Sequence, residues 1–201
     1  ELPFVANFGF ALASGLINAN QAAVLDFRQR YLTQMASISD GNWIVTDKMP
    51  QNFCYLGLIF AALPEAKIIH VKRDPAAVCW ANYKQYFSGK GLGYSYALED
   101  VVRYFKLYED LMTFWKNAKL GEIYELDYER LVENQENEIR QLVDYLGLGW
   151  SERFLLPQDN SRRVTTASNL QVRKKIYQSS SKNWSINNPN FRNVYKKLAV
   201  Y

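Results

Sequence analysis

Apolar residues recur along this chain at two periods. Over residues 22–35 the positions Val24, Leu25, Phe27, Tyr31, Leu32 and Met35 fall on one helical face. Over 97–117 the side chains Leu98, Val101, Val102, Phe105, Tyr108, Leu111, Met112 and Trp115 make the longest such stripe. Residues 1–18 read as a helix interrupted or loosened near Gly9 and Gly15, because glycine is a poor helix former. Residues 52–62 are apolar almost throughout, as in a helix that covers a sheet and is itself covered, and Leu63, Pro64 and Glu65 stop it. Short β-branched or aromatic runs at 43–46, 67–72 and 123–126 predict three strands.

Each strand runs into charged residues and then a helical pattern. Asp47 and Lys48 follow the first, Arg73 and Asp74 the second, and Asp127, Tyr128 and Glu129 the third. Pro75 suits the first turn of a helix, where its missing N–H costs nothing, and the helical spacing continues to about residue 87. Residues 133–145 are helical and closed by Gly147, and a short helix is expected at 151–156. The glycines of 88–94 read as a plain linker or a substrate lid, without the GxxxxGK(S/T) spacing of a phosphate loop. Beyond Pro157 the chain is polar and basic, with helices expected near 169–178 and 190–198. Strands alternating with helices argue for an α/β fold with a parallel sheet.

At 201 residues, 48% hydrophobic and 22% charged, the chain suits one packed domain. A net charge of +4 is compatible with an anionic ligand and too small to argue for nucleic acid. Cys54 and Cys79 lack metal-ligand spacing, His70 is the single histidine, and no acidic cluster is placed for magnesium, so no metal site is expected. The two thiols are expected to be buried and free, which fits a reducing, cytoplasmic setting. No apolar run reaches transmembrane length.

In a parallel sheet the three post-strand loops share one edge, so Lys48 and Arg73 are expected to face a common crevice. Two cations there can bind phosphate, or stabilise charge on a transferring phosphoryl or sulfuryl group. Ordinary surface ion pairs among Asp47, Lys48, Arg73 and Asp74 account for the same residues equally well.

Three separated segments carry a resemblance: TDKMPQNFCYLGLIFAALPEAKIIHVKRDPAAVCWANYKQYF, ELDYERLVENQENEIRQLVDYLGLGW and SNLQVRKKIYQSSSKNW. In this order they resemble the PAPS-dependent sulfotransferases, closest to the bacterial branch often fused to tetratricopeptide repeats and related to the tyrosylprotein sulfotransferases. The resemblance implies a P-loop-kinase-like three-layer α/β fold and transfer of a sulfuryl group from 3'-phosphoadenylyl sulfate to a hydroxyl or amine, leaving adenosine 3',5'-bisphosphate. It implies Lys48 at the sulfuryl group, Arg73 on the 3'-phosphate, Tyr128 lining the nucleotide site, and Ser168, Arg173 and Lys182 as further cofactor contacts. Glu1 resembles the base that accepts the acceptor's proton. Three departures accompany it. Ala81 stands where the family usually has a serine that shares the 3'-phosphate, with Asn82 as a candidate substitute, and Lys175 stands where it has a proline. The family's first strand and glycine-rich phosphosulfate loop would precede Glu1, so the domain is expected to be incomplete at its N-terminal side. A non-catalytic nucleotide- or anion-binding domain on the same fold is the alternative, and a nucleoside triphosphate enzyme a more distant one.

Overall fold

The computed structural model describes residues 2–87 and 91–159. They form two compact units, one from the residues up to Lys67 together with Asp110–Glu122, the other from Ile68–Glu109 together with the residues from Ile123 on.

The first unit is helical. Helix α1 spans Phe4–Ala13 and α2 spans Gln21–Ile38, where the Asn20 side chain accepts from the Ala23 N–H at 3.0 Å and so satisfies one orphan donor of the first turn. A 3-10 turn at Pro50–Tyr55 leads into α3, Leu56–Ala62. Val5 and Phe27, each 1% exposed, centre a core with Leu12, Tyr31, Leu56, Ile59 and Met112. Arg28 of α2 donates to the Ala62 carbonyl at 2.7 Å and to both oxygens of Glu65, so one guanidinium closes the carboxyl end of α3. Its hydrogen bonds hold the Glu65 carboxyl below the usual carboxylate range.

Two sequence expectations change here. Gly9 does not loosen α1; the helix runs through it, because the bare backbone lets α1 approach its neighbours. A Cβ there would stand 2.7 Å from Leu58 Cδ2 and 3.2 Å from the Phe27 ring. The run at 43–46 is not a strand. Trp43 is 88% exposed, and no described residue offers these positions a ladder, without which β propensity has nothing to act on.

The space around two glycines, Gly121 of the first unit and Gly93 of the second, predicts a stability effect. A Cβ on Gly121 would collide with the Phe60 ring, whereas one on Gly93 meets nothing. Gly121→Ala is expected to cost about 1–3 kcal/mol by overpacking, and Gly93→Ala to stay within about 1 kcal/mol of the parent. Urea denaturation midpoints of the two variants check the contrast.

The second unit holds the sheet, which among the described residues has two strands. Strand β1, Ile68–Lys72, pairs in parallel with β2, Ile123–Asp127, in a register running from Ile68↔Ile123 to Lys72↔Asp127. A parallel pair needs a long crossover, and here it contains α4, Pro75–Lys84, and α5, Leu98–Ala118. Ala76 and Cys79 of α4 pack with Val101, Val102 and Phe105 of α5 to form this unit's core. Cys79 is buried as expected and Cys54 is exposed. After β2 come α6, Tyr128–Glu133, and α7, Gln135–Leu146, which ends at Gly147 in the left-handed conformation, φ 67°. Tyr145 of α7 stacks on Tyr124 of β2, with ring centroids 4.8 Å apart. No helix among the described residues is long and apolar enough to cross a membrane.

Candidate functional site

The second unit brings two strand-to-helix turns together at one sheet edge. The last ladder pair is Lys72↔Asp127, so the next residues, Arg73 and Tyr128, are neighbours. The Arg73 guanidinium carbon stands 5.0 Å from the centroid of the Tyr128 ring. A cation at this distance is attracted to the ring, and a guanidinium has the planar N–H fork that matches a phosphate.

Both turns are built alike. Asp74 caps α4, its Oδ1 accepting from the Ala77 N–H at 2.7 Å, and Asp127 caps α6, its Oδ1 accepting from the Arg130 N–H at 2.9 Å. A tie joins them: the Asp74 N–H donates to Glu129 Oε2 at 3.2 Å, while Glu129 Oε1 is buried without a hydrogen bond. The carboxylates therefore face backbone N–H groups and lock the turns. Sequence reading placed Asp127, Tyr128 and Glu129 in a loop. The structure puts Tyr128 and Glu129 in the first turn of α6, because the Asp127 cap starts the helix at once. The signal for the tie lay in the spacing, since Asp74 and Glu129 each stand two residues past a strand end.

Ala81 is exposed on α4, and Asn82, the suggested substitute for the family serine, donates its side-chain amide to the Val78 carbonyl at 3.0 Å within its own helix. That bond holds the amide along the helix.

Lys48 belongs to the first unit and is exposed there. Its neighbour Asp47 is half-buried and accepts from the Tyr31 hydroxyl at 3.0 Å, anchoring the 43–49 segment to α2. Nothing in the helical pattern of α2 singled out Tyr31 for this. Burial pushes the Asp47 carboxyl up, and the Tyr31 hydrogen bond offsets part of that rise. A folded value above the unfolded one means that the folded state holds this proton more tightly, so stability falls as pH rises through the interval between the two. Asp47→Asn keeps an acceptor for Tyr31 without the charge. Its stability relative to the parent is expected to increase from about pH 4 to about pH 7, the carboxyl range, as read from urea midpoints at both pH values.

Glu1, Ser168, Arg173 and Lys182 lie outside the described residues, as do Arg162, Arg163 and Lys175. Among the aromatic residues, Tyr94 is stacked on Tyr104 at 3.9 Å, and Tyr86, 77% exposed, stacks on Tyr96 at 6.2 Å.

The model of the sulfotransferase family matches residues 10–152, which include Lys48, Arg73 and Tyr128. An uncharacterized protein of Aquifex aeolicus (strain VF5) is 36% identical over 200 residues, covering 92% of this chain and 26% of that protein. The chain thus spans about a quarter of that relative. Among solved structures, a sulfotransferase domain from the curacin biosynthetic pathway matches with a TM-score of 0.57 and 15% identity, over 94% of this chain and 76% of that one. At that identity the likeness speaks to the fold, and it agrees with the α/β class and the parallel pair β1 and β2. With the family model spanning 10–152, the chain belongs to the sulfotransferase family.

Proposed function

We propose that this chain transfers a sulfuryl group from 3'-phosphoadenylyl sulfate to a hydroxyl or amine acceptor. The observation that carries the reading is the Arg73 guanidinium set over the Tyr128 ring, where the parallel strands end and α4 begins. The donor set fits the nucleotide: a fork of N–H groups for a phosphate, an aromatic ring beside it, and neighbouring carboxylates that face backbone N–H groups.

Arg73 would hold the 3'-phosphate and Tyr128 would line the nucleotide, with Ser168, Arg173 and Lys182 adding contacts from the C-terminal part of the chain. When bound, the nucleotide supplies an activated sulfuryl group. Lys48 would place positive charge where the leaving phosphate gains negative charge, a contribution greater in the transition state than in the ground state. Glu1 would take the proton of the acceptor hydroxyl. Ala81 removes one family hydrogen bond to the 3'-phosphate, so Arg73 carries more of that phosphate's binding here than a serine-bearing site would require.

Calorimetric titration with adenosine 3',5'-bisphosphate, joined to an assay of sulfuryl transfer from labelled donor to phenolic, sugar, peptide and amine acceptors, tests the reading. Saturable binding with transfer supports it. Binding without transfer to any acceptor leaves the nucleotide-binding alternative, and no binding at all overturns both.

A further inference from the structure

His70 stands three residues before Arg73 on β1. Side chains alternate across a strand, so His70 and Lys72 share one face, and the register sets Glu125 of β2 directly opposite His70. Tyr108 of α5 closes over the same face. Its hydroxyl is hydrogen-bonded to His70 Nε2, and the two rings meet edge to face with centroids 5.7 Å apart. His70 Nδ1 lies 3.5 Å from Glu125 Oε1, and that same oxygen lies 3.9 Å from Lys72 Nζ. The imidazole is 12% exposed. One carboxylate is thus shared between a group that can gain charge and an ammonium next to Arg73.

The geometry decides how a proton would be received. In neutral His70 the carboxylate favours a hydrogen on Nδ1, which leaves Nε2 to accept from the Tyr108 hydroxyl. Proton uptake puts a hydrogen on Nε2 as well, and the Tyr108 oxygen becomes the acceptor. Glu125 then faces an imidazolium and draws away from Lys72. Glu109, Glu125, Lys72 and Asp74 are the charged groups near this face, and two neutral groups, Tyr108 and Cys79, adjoin it. Burial, with Glu109 and Glu125, pushes the Tyr108 hydroxyl up to about 12. Burial, with Glu109 and Asp74, pushes the Cys79 thiol up to about 12. Neither exchanges a proton where an imidazole does.

We infer that the proton on His70 is coupled to phosphate binding at the Arg73 turn. The inference rests on the reading that Arg73 holds a nucleotide phosphate. The imidazolium adds a positive charge about 10 Å along the strand from Arg73 and releases Lys72 beside it, and both changes favour an anion. Affinity therefore rises as pH falls through the titration of His70, and by reciprocity a bound nucleotide raises the midpoint of that titration.

A single histidine makes the test direct, because the full chain shows one imidazole Cε1–H resonance. It is followed between about pH 5 and 8 with and without adenosine 3',5'-bisphosphate, while calorimetry gives Kd at both ends for the parent and for His70→Gln. The glutamine variant cancels the nucleotide's own titration. The change in Kd across this range is expected to favour low pH by about threefold to tenfold more in the parent than in the variant, as for a screened charge at that distance. The midpoint is expected to rise on binding, and Glu125→Gln, which needs no change at His70, is expected to lower it. Equal pH dependence in parent and glutamine variant, or a midpoint unmoved by nucleotide or by Glu125→Gln, overturns the inference while binding itself upholds the Arg73 reading. Failure of the parent to bind at any pH overturns both.

Discussion

Lys48→Ala is expected to lower kcat for sulfuryl transfer by about 10²- to 10³-fold, the usual loss when one oxyanion donor is removed. Its Kd for adenosine 3',5'-bisphosphate is expected to stay within about threefold of the parent, a change of less than about 1 kcal/mol. Charge on the bridging oxygen develops as the bond to sulfur breaks, so a cation aimed at that oxygen contributes in the transition state far more than in the complex that precedes it. Lys48 is suited to such a contrast, being an exposed side chain whose removal leaves no core cavity. Steady-state kinetics and calorimetry on the same preparation separate the two effects. A tenfold loss of affinity with unchanged turnover would place Lys48 in nucleotide binding instead.

Arg73→Ala reverses the pattern. Loss of a bidentate, charge-assisted contact is expected to raise Kd for adenosine 3',5'-bisphosphate about 100-fold, equivalent to about 2.7 kcal/mol, with KM for the donor rising in parallel and kcat at saturation changing much less. Arg73→Lys keeps the charge and loses the fork, so it is expected to recover only part of the affinity. The cation–π contact with Tyr128 is worth about 0.5–1 kcal/mol, and thermal melting of the alanine variant reads the whole structural cost of losing the Arg73 side chain. Nucleotide affinity equal to the parent in both variants would sink the assignment of Arg73 to the phosphate.

These expectations grew from a stretch whose local chemistry was explicit. The β-branched run of 67–72, the charged pair at its end and Pro75 at the next position identify a strand, a turn and a helix start, and β1 and α4 follow. The long stripe of α5 and the glycine closing α7 were equally plain, since burial periodicity and a left-handed cap are properties of a few adjacent residues. The segment at 43–46 shows where that logic stops. Its residues favour a strand as strongly as those of β1, but a strand exists only through hydrogen bonds to another chain segment, and no described residue supplies them. Gly9 erred in the opposite direction, because the sequence shows a missing side chain and not the Leu58 and Phe27 side chains that need the space.

By itself, the sequence determined the class of the fold and the elements from β1 to α5, because periodicity, caps and residue type are local. The tertiary structure decided what each polar group answers to. The β1–β2 register sets Arg73 beside Tyr128, Asp74 near Glu129 and His70 beside Glu125, while the packing of α5 brings Tyr108 to His70. These pairs are separated by 38 to 55 residues in the chain for the hydrogen-bonded cases. Contacts over such separations depend on how two strands are aligned and on which helix covers them, and a shift of one residue in a strand would send its side chains to the other face.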